Sequence, residues 1–236
     1  MPAPKIPARS ATRYEMKAVL DEIDLPTVQN WLWLHDACFH VRFQQRLVNS
    51  LYYDTPGLDS FNDNLFGSSQ RHKVRLRWYG LDLEEVQTIF EVKHKHNRYG
   101  WKLSQKIAQP LSFERLTWRE LLDVLQRELA HELQGYLSQG CEQILLVRYQ
   151  REYYETFDGR IRVTVDHHME AFDQRHNNQL NLRYPLSLSN ALVVECKANQ
   201  ENSAALASVL STAPFRITRS SKYADAVVEL LDHGAW

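Results

Sequence analysis

The sequence predicts a mainly antiparallel β protein of the α+β class, with a few helices packed on its sheet. Three observations carry that expectation. Runs with Val, Ile, Tyr, Thr or Phe at alternate positions recur along the chain, as half-buried strands require. Turn residues separate several of them, and Asp158-Gly159 between two such runs is a strong hairpin signal. Helical spacing is confined to a few stretches. With 236 residues, 44% hydrophobic and 24% charged, the chain can bury one full-sized core and does not have the composition of a disordered protein.

Taken in order, the first strand is predicted over 13–19. Asp24-Leu25-Pro26 then opens a helix running through Trp31 and Leu32, since proline is tolerated in a first helical turn. Strands follow at 45–53, 72–79, 88–94 and 100–107. Asn62-Asp63-Asn64 with Gly67 reads as a loop between strands, because the full ligand spacing of a calcium-binding EF-hand is missing. Thr117 with Glu120 three residues on reads as a capping box. Behind it, Trp118, Leu121, Leu122, Leu125, Leu129, Leu133 and Tyr136 recur at helical spacing as far as Gly140. Segments 143–157 and 160–167 form the hairpin, 192–198 is the last strand, and 203–210 and 223–231 are short helices. No solenoid repeat or low-complexity linker interrupts the pattern, which predicts a flexible tail at 1–11 and one domain over 12–236.

The formal net charge is −1, from 28 Lys and Arg against 29 Asp and Glu. That excludes a protein that coats nucleic acid by bulk positive charge, and leaves room for a local basic pocket. Cys38, Cys141 and Cys196 are far apart and odd in number, so neither a disulfide framework nor a cysteine zinc site is indicated. The start of the chain lacks a secretory apolar core, and apolar runs such as 144–147 fall far short of the roughly 20 residues that span a bilayer. A soluble cytoplasmic protein without a transmembrane segment is expected.

The most informative feature is the placement of charge within the strands. Alternation puts Arg71, Lys73, Arg75 and Arg77 on one face, opposite Val74, Leu76 and Trp78. Glu91, Lys93 and Lys95 likewise oppose Phe90 and Val92. Arg160, Arg162, Thr164 and Asp166 oppose Ile161, Val163 and Val165; Tyr149 alternates with Arg151, Glu15 with Lys17, and Glu195 with Lys197. A single stripe of this kind is the solvent face of a half-buried sheet. Five or more rich in Arg and Lys need something anionic to offset like-charge repulsion. A barrel with apolar residues outside, helices over them and a cationic lumen accounts for all of them together. Such a lumen suits a compact polyanion, and the interspersed carboxylates suit a hard cation such as Mg²⁺ or Mn²⁺.

The ordered series RYEMK (13–17), SLYYDTP (50–56), KVRLR (73–77), FEVKHK (90–95), YQR (149–151), RIRVTVD (160–166), VVECK (193–197) and RSSKY (219–223) resembles the VTC-type polyphosphate polymerase domain. That domain belongs to the triphosphate tunnel metalloenzyme (CYTH-like) superfamily. The resemblance implies an eight-stranded antiparallel β-barrel tunnel holding ATP, triphosphate or polyphosphate with Mn²⁺ or Mg²⁺. It implies catalytic roles for Arg75, Arg77, Lys93, Arg151, Arg162 and Lys222. Lys17, Lys102, Tyr149, Lys197, Arg219 and Ser221 would bind phosphate, and Glu195, Glu15 and Glu91 would hold the metal. Arg219 stands where a lysine is common in the family.

The implied reaction passes the ATP γ-phosphate to a growing chain, with positioning and charge neutralisation supplying the rate. A triphosphate hydrolase in the same tunnel, or a polyphosphate-binding module without activity, are the alternatives. The best-known polymerases of this type sit beside membrane segments that remove product, so a membrane-associated partner enters as an open expectation. Nucleic acid is not an expected partner. His94, His96, His167 and His168 lack zinc-ligand spacing and are expected at the surface. Trp31, Trp33, Tyr52, Tyr53, Trp78 and Trp101 are expected in the core rather than as base-stacking platforms. Ser50, Tyr52 and Asp54 either line the tunnel mouth or end a strand.

Overall fold

The computed structural model describes residues 13–96, 99–137, 140–188 and 191–232. The expected tail at 1–11 lies outside the described residues. The eight predicted strands are all present, as β1 (Arg13–Asp21), β2 (His40–Asp54), β3 (Gln70–Tyr79), β4 (Ile89–His96), β5 (Tyr99–Lys106), β6 (Glu142–Glu155), β7 (Ile161–Asp173) and β9 (Ala191–Asn199). A two-residue strand, β8 (Leu186–Ser187), pairs with β7. The antiparallel order is β1-β9-β7-β6-β2-β3-β4-β5. At the β6–β7 hairpin, Gly159 has φ +70°, and the Asp158 carboxylate accepts from the Arg160 N–H at 3.0 Å.

The sheet does not close as a barrel: among the described residues no ladder joins its end strands, β1 and β5. The outer edge of β1 has another partner. Thr218 N–H donates to the Lys17 carbonyl at 2.7 Å, and Val19 N–H donates to Thr218 Oγ1 at 3.1 Å. Curvature still brings the end strands' region together, because Lys93 of β4 reaches Glu15 of β1 at 2.9 Å across the gap.

Among the described residues six α-helices cover the sheet: α1 (Leu25–Leu34), α2 (Asp59–Leu65), α3 (Trp118–Glu128), α4 (His131–Gln134), α5 (Ser203–Leu210) and α6 (Lys222–Asp232). On the convex face, α3 packs Leu121, Val124 and Leu125 against Leu51, Leu76, Trp78, Phe90 and Val92. There α1 and α5 cover Ala18, Val163, Val165, Val194 and Cys196. The capping box of α3 is complete, with Thr117 N–H donating to Glu120 Oε2 at 2.8 Å. Each fully buried leucine of α3 contributes roughly 2–3 kcal/mol of hydrophobic stabilisation.

Two helical expectations change. The helix predicted from 117 to 140 breaks at Leu129, whose backbone is extended. Gln105 of β5 satisfies both sides of that break: its Nε2 donates to the Glu128 carbonyl at 2.7 Å, and its Oε1 accepts from Ala130 N–H at 2.9 Å. Residues 62–64, expected in a loop, belong to α2. The Asp54 carboxylate accepts from the N–H groups of Ser60 and Phe61 at 2.9 and 3.1 Å, capping α2 from the end of β2. No described helix is long and apolar enough to cross a membrane.

Candidate functional site

The concave face collects the predicted stripes. Along β2 it presents Ser50 and Tyr52; along β3, Lys73, Arg75 and Arg77; along β4, Glu91 and Lys93. Lys102 of β5, Tyr149 and Arg151 of β6, Arg162, Thr164 and Asp166 of β7, and Glu195 and Lys197 of β9 share that face with Glu15 and Lys17 of β1. At one end α6 packs Tyr223, Ala226, Val227 and Leu230 in a buried cluster with Tyr52, Leu145 and Val147, and Tyr223 stacks on Tyr52 at 5.0 Å. This turns the helix start, Ser221 and Lys222, toward the charged residues.

Ion pairs organise these groups into three nodes. Glu91 takes Arg75 at 2.6 Å, Lys102 at 2.5 Å and Arg77 at 3.6 Å. Asp166 takes a two-pronged contact from Arg151, at 2.5 and 2.7 Å, and Lys222 at 2.7 Å. Glu195 takes Lys197 at 3.0 Å and Lys17 at 3.5 Å, and Lys17 also meets Glu15 at 3.3 Å. Arg77 further donates to the Tyr149 hydroxyl at 3.2 Å. Burial would raise the acids, but the cations win: Arg75, Arg77 and Lys102 hold Glu91 well below the usual carboxylate range, and Arg151 and Lys222 hold Asp166 at about 2. These four carboxylates face ten basic side chains: Lys17, Lys73, Arg75, Arg77, Lys93, Lys102, Arg151, Arg162, Lys197 and Lys222.

The VTC domain model matches residues 12–231, nearly the whole chain. The chain belongs to the VTC domain family. The fold of this VTC domain is shared with a Vibrio parahaemolyticus protein described as a "putative adenylate cyclase". The two align with TM-score 0.52 and 14% identity over 92% of this chain and 98% of that one. That likeness extends to the fold alone. A chain of the Schizosaccharomyces pombe Mediator head module aligns with TM-score 0.49 and 11% identity, over 87% of this chain and 97% of that one. No curated protein matches the sequence.

Within the VTC domain, most residues named from the family motifs converge on the concave face. Arg219 is exposed on the segment leading into α6. Lys73, absent from the motif-based set of site residues, belongs with them: its ammonium donates to Asn64 Oδ1 at 2.9 Å and contacts the Ser221 hydroxyl. It has no carboxylate at ion-pair distance among the described residues. Burial, then Lys17, Lys93 and Arg71, lower its pKa to about 7. Its place in the stripe 71–77 is the signal that could have found it.

Glu15 and Glu195 share Lys17, whereas Glu91 has no cation in common with them. Among the described residues no three carboxylate, imidazole or thiol groups gather as a metal cluster. Thr164 lies beside Glu195 in the ladder, and its buried hydroxyl has no hydrogen-bond partner. Two carboxylates and an orphaned hydroxyl form an oxygen-only donor set that fits Mg²⁺ or Mn²⁺, ions that draw their other ligands from phosphate and water.

Other expectations are corrected. His167 is not at the surface: it is 3% exposed and faces Glu152 at 3.4 Å, while His94 stacks on Trp101 at 4.9 Å. Trp33 is not core but 56% exposed, and Tyr52 is buried on the charged face, where it meets Arg75. Ser50 also faces the site, whereas Asp54 ends its strand and accepts from the Tyr223 hydroxyl at 2.5 Å.

Proposed function

We propose that this VTC domain is a metal-dependent polyphosphate polymerase that transfers the γ-phosphate of ATP to the end of a phosphate chain. One observation carries the reading: among the described residues, basic side chains from seven strands and α6 outnumber the carboxylates Glu15, Glu91, Asp166 and Glu195 that share their concave face. A polyanion supplies the missing negative charge.

Arg75 and Arg77 are placed to exchange part of their contact with Glu91 for phosphate oxygens, and Arg151 and Lys197 to do so beside Asp166 and Glu195. A terminal phosphate oxygen of the chain attacks the γ-phosphorus, the bond from that phosphorus to the bridging oxygen breaks, and ADP leaves with the electron pair. The ionised nucleophile needs no general base. Negative charge accumulates on the leaving oxygen and is met by lysine and arginine already in position, so no reorganisation is required during transfer. Glu195 and Glu15 would hold Mn²⁺ or Mg²⁺, which would supply further neutralisation of phosphate charge.

The seating of α6 favours a second reading. Its apolar side chains occupy one end of the concave face, and a long product needs a path past them. A short triphosphate hydrolysed by water would not need one. Purified protein given ATP and Mn²⁺, with products resolved by gel and free phosphate assayed in parallel, decides between them. Long chains support the polymerase; phosphate release from inorganic triphosphate without chains supports the hydrolase. Neither product, with binding intact, overturns both in favour of a binding module.

A further inference from the structure

The end of the concave face away from α6 carries a group of side chains that the phosphate chemistry does not use. The guanidinium of Arg46 lies 5.0 Å from the ring centre of Phe43, 5.6 Å from Tyr79 and 5.7 Å from Tyr153. Phe43 meets Tyr153 edge to face at 5.6 Å. A register shift in β2 between Phe43 and Arg46 turns both toward Tyr153, although their spacing in a regular strand would put them on opposite faces. Arg46 is exposed and has no ion pair with a carboxylate among the described residues. Phe43 and Tyr79 keep 42% and 41% of their surface exposed.

The position is continuous with the phosphate face. Arg46 is the ladder partner of Arg151, Tyr153 follows Arg151 by two residues, and Tyr79 follows Arg77 by two. Two residues of strand span about 7 Å, the scale of a sugar ring. A phosphate chain gains nothing from half-exposed aromatic faces, because they donate no hydrogen bonds. A nucleobase does gain, since bases stack on aromatic rings and on guanidinium planes.

We infer that Phe43, Arg46, Tyr79 and Tyr153 form a nucleobase-stacking subsite at the mouth of the concave face, selecting a nucleoside triphosphate over inorganic triphosphate. The inference rests on the phosphate-binding reading of the adjoining residues.

The test is equilibrium binding of ATP and of inorganic triphosphate, each with Mn²⁺, to the wild type and to Tyr79→Ala and Phe43→Ala. Circular dichroism checks folding, and Tyr79→Leu, which keeps bulk but removes the ring, serves if Tyr79→Ala fails to fold. Loss of one stacking platform weakens ATP by at least about fivefold and inorganic triphosphate by less than about twofold. Equal weakening of both ligands, or no change in either, overturns the subsite and leaves the phosphate reading standing. Failure of the wild type to bind inorganic triphosphate overturns the phosphate reading, and this inference with it.

Discussion

At the scale of single residues, the site works through unequal pairing. Glu91 holds three cations, so removing two of them has two separable effects. Arg75→Ala with Arg77→Ala should abolish turnover, by at least about a hundredfold, since each arginine is a preorganised charge at the transferring phosphate. It should also cost stability, about 1–3 kcal/mol, because Glu91 is left buried with Lys102 alone. Adding Glu91→Gln should restore the urea midpoint without restoring turnover; recovery of activity would show that the arginines serve only to satisfy Glu91. Lys73 has the opposite problem, a buried cation with no carboxylate at ion-pair distance among the described residues and only the more distant Asp225 to favour its charge. With its folded pKa near 7 and its unfolded value near 10.5, the unfolded chain binds the extra proton between those limits. Its contribution to stability therefore rises with pH across that window and is unfavourable below it. A bound polyanion raises the pKa, so binding takes up a proton and triphosphate affinity falls as pH climbs above about 7. Lys73→Met should flatten that dependence in titrations across pH 6–9; an unchanged slope would remove Lys73 from the binding face.

At the scale of elements, legibility follows how local the cause is. The strands could be read because alternation is written in neighbouring residues, and even the inward set Lys17, Arg75, Arg77, Arg151 and Glu195 falls out of period two. The capping box at Thr117 was legible for the same reason. The end of α3 was not, because the group that stops it, Gln105, comes from β5. Nor was α2, whose cap is Asp54 at the end of the preceding strand rather than a residue beside its first turn. Asp54 also accepts from Tyr223 of α6, so it ties β2, α2 and α6 together. Asp54→Asn keeps the size and loses the charge-assisted bonds, and should destabilise the fold by about 1–3 kcal/mol in urea denaturation. An unchanged midpoint would mean that α2 is held by Leu58 and Phe61 in the apolar cluster alone.

At the scale of the whole molecule, the feature least visible in the sequence is how the sheet ends. Alternation says which side chains share a face, not whether the first and last strands hydrogen-bond. Here the segment at Thr218 takes the edge of β1, and the gap is crossed by Lys93 and Glu15 instead of a ladder. The same architecture makes the empty protein electrostatically expensive. Its net charge is only −1, so the positive excess is local, concentrated on the concave face, where cations outnumber carboxylates among the described residues. Bulk salt relieves such repulsion weakly, since pairs shielded from solvent are poorly screened. A ligand that fits the concavity relieves it fully. Triphosphate at a hundred times its dissociation constant stabilises the folded state by about 2.7 kcal/mol, which for a chain of this size raises the melting temperature by about 5–10 °C. Sodium chloride matched for ionic strength should give a small fraction of that shift. The Arg75→Ala and Arg77→Ala protein should lose it, because the cations that distinguish triphosphate from salt are gone. An equal rise with chloride, or the same rise in the double variant, would place the anion on the outer surface and leave the concave charges as mutual partners.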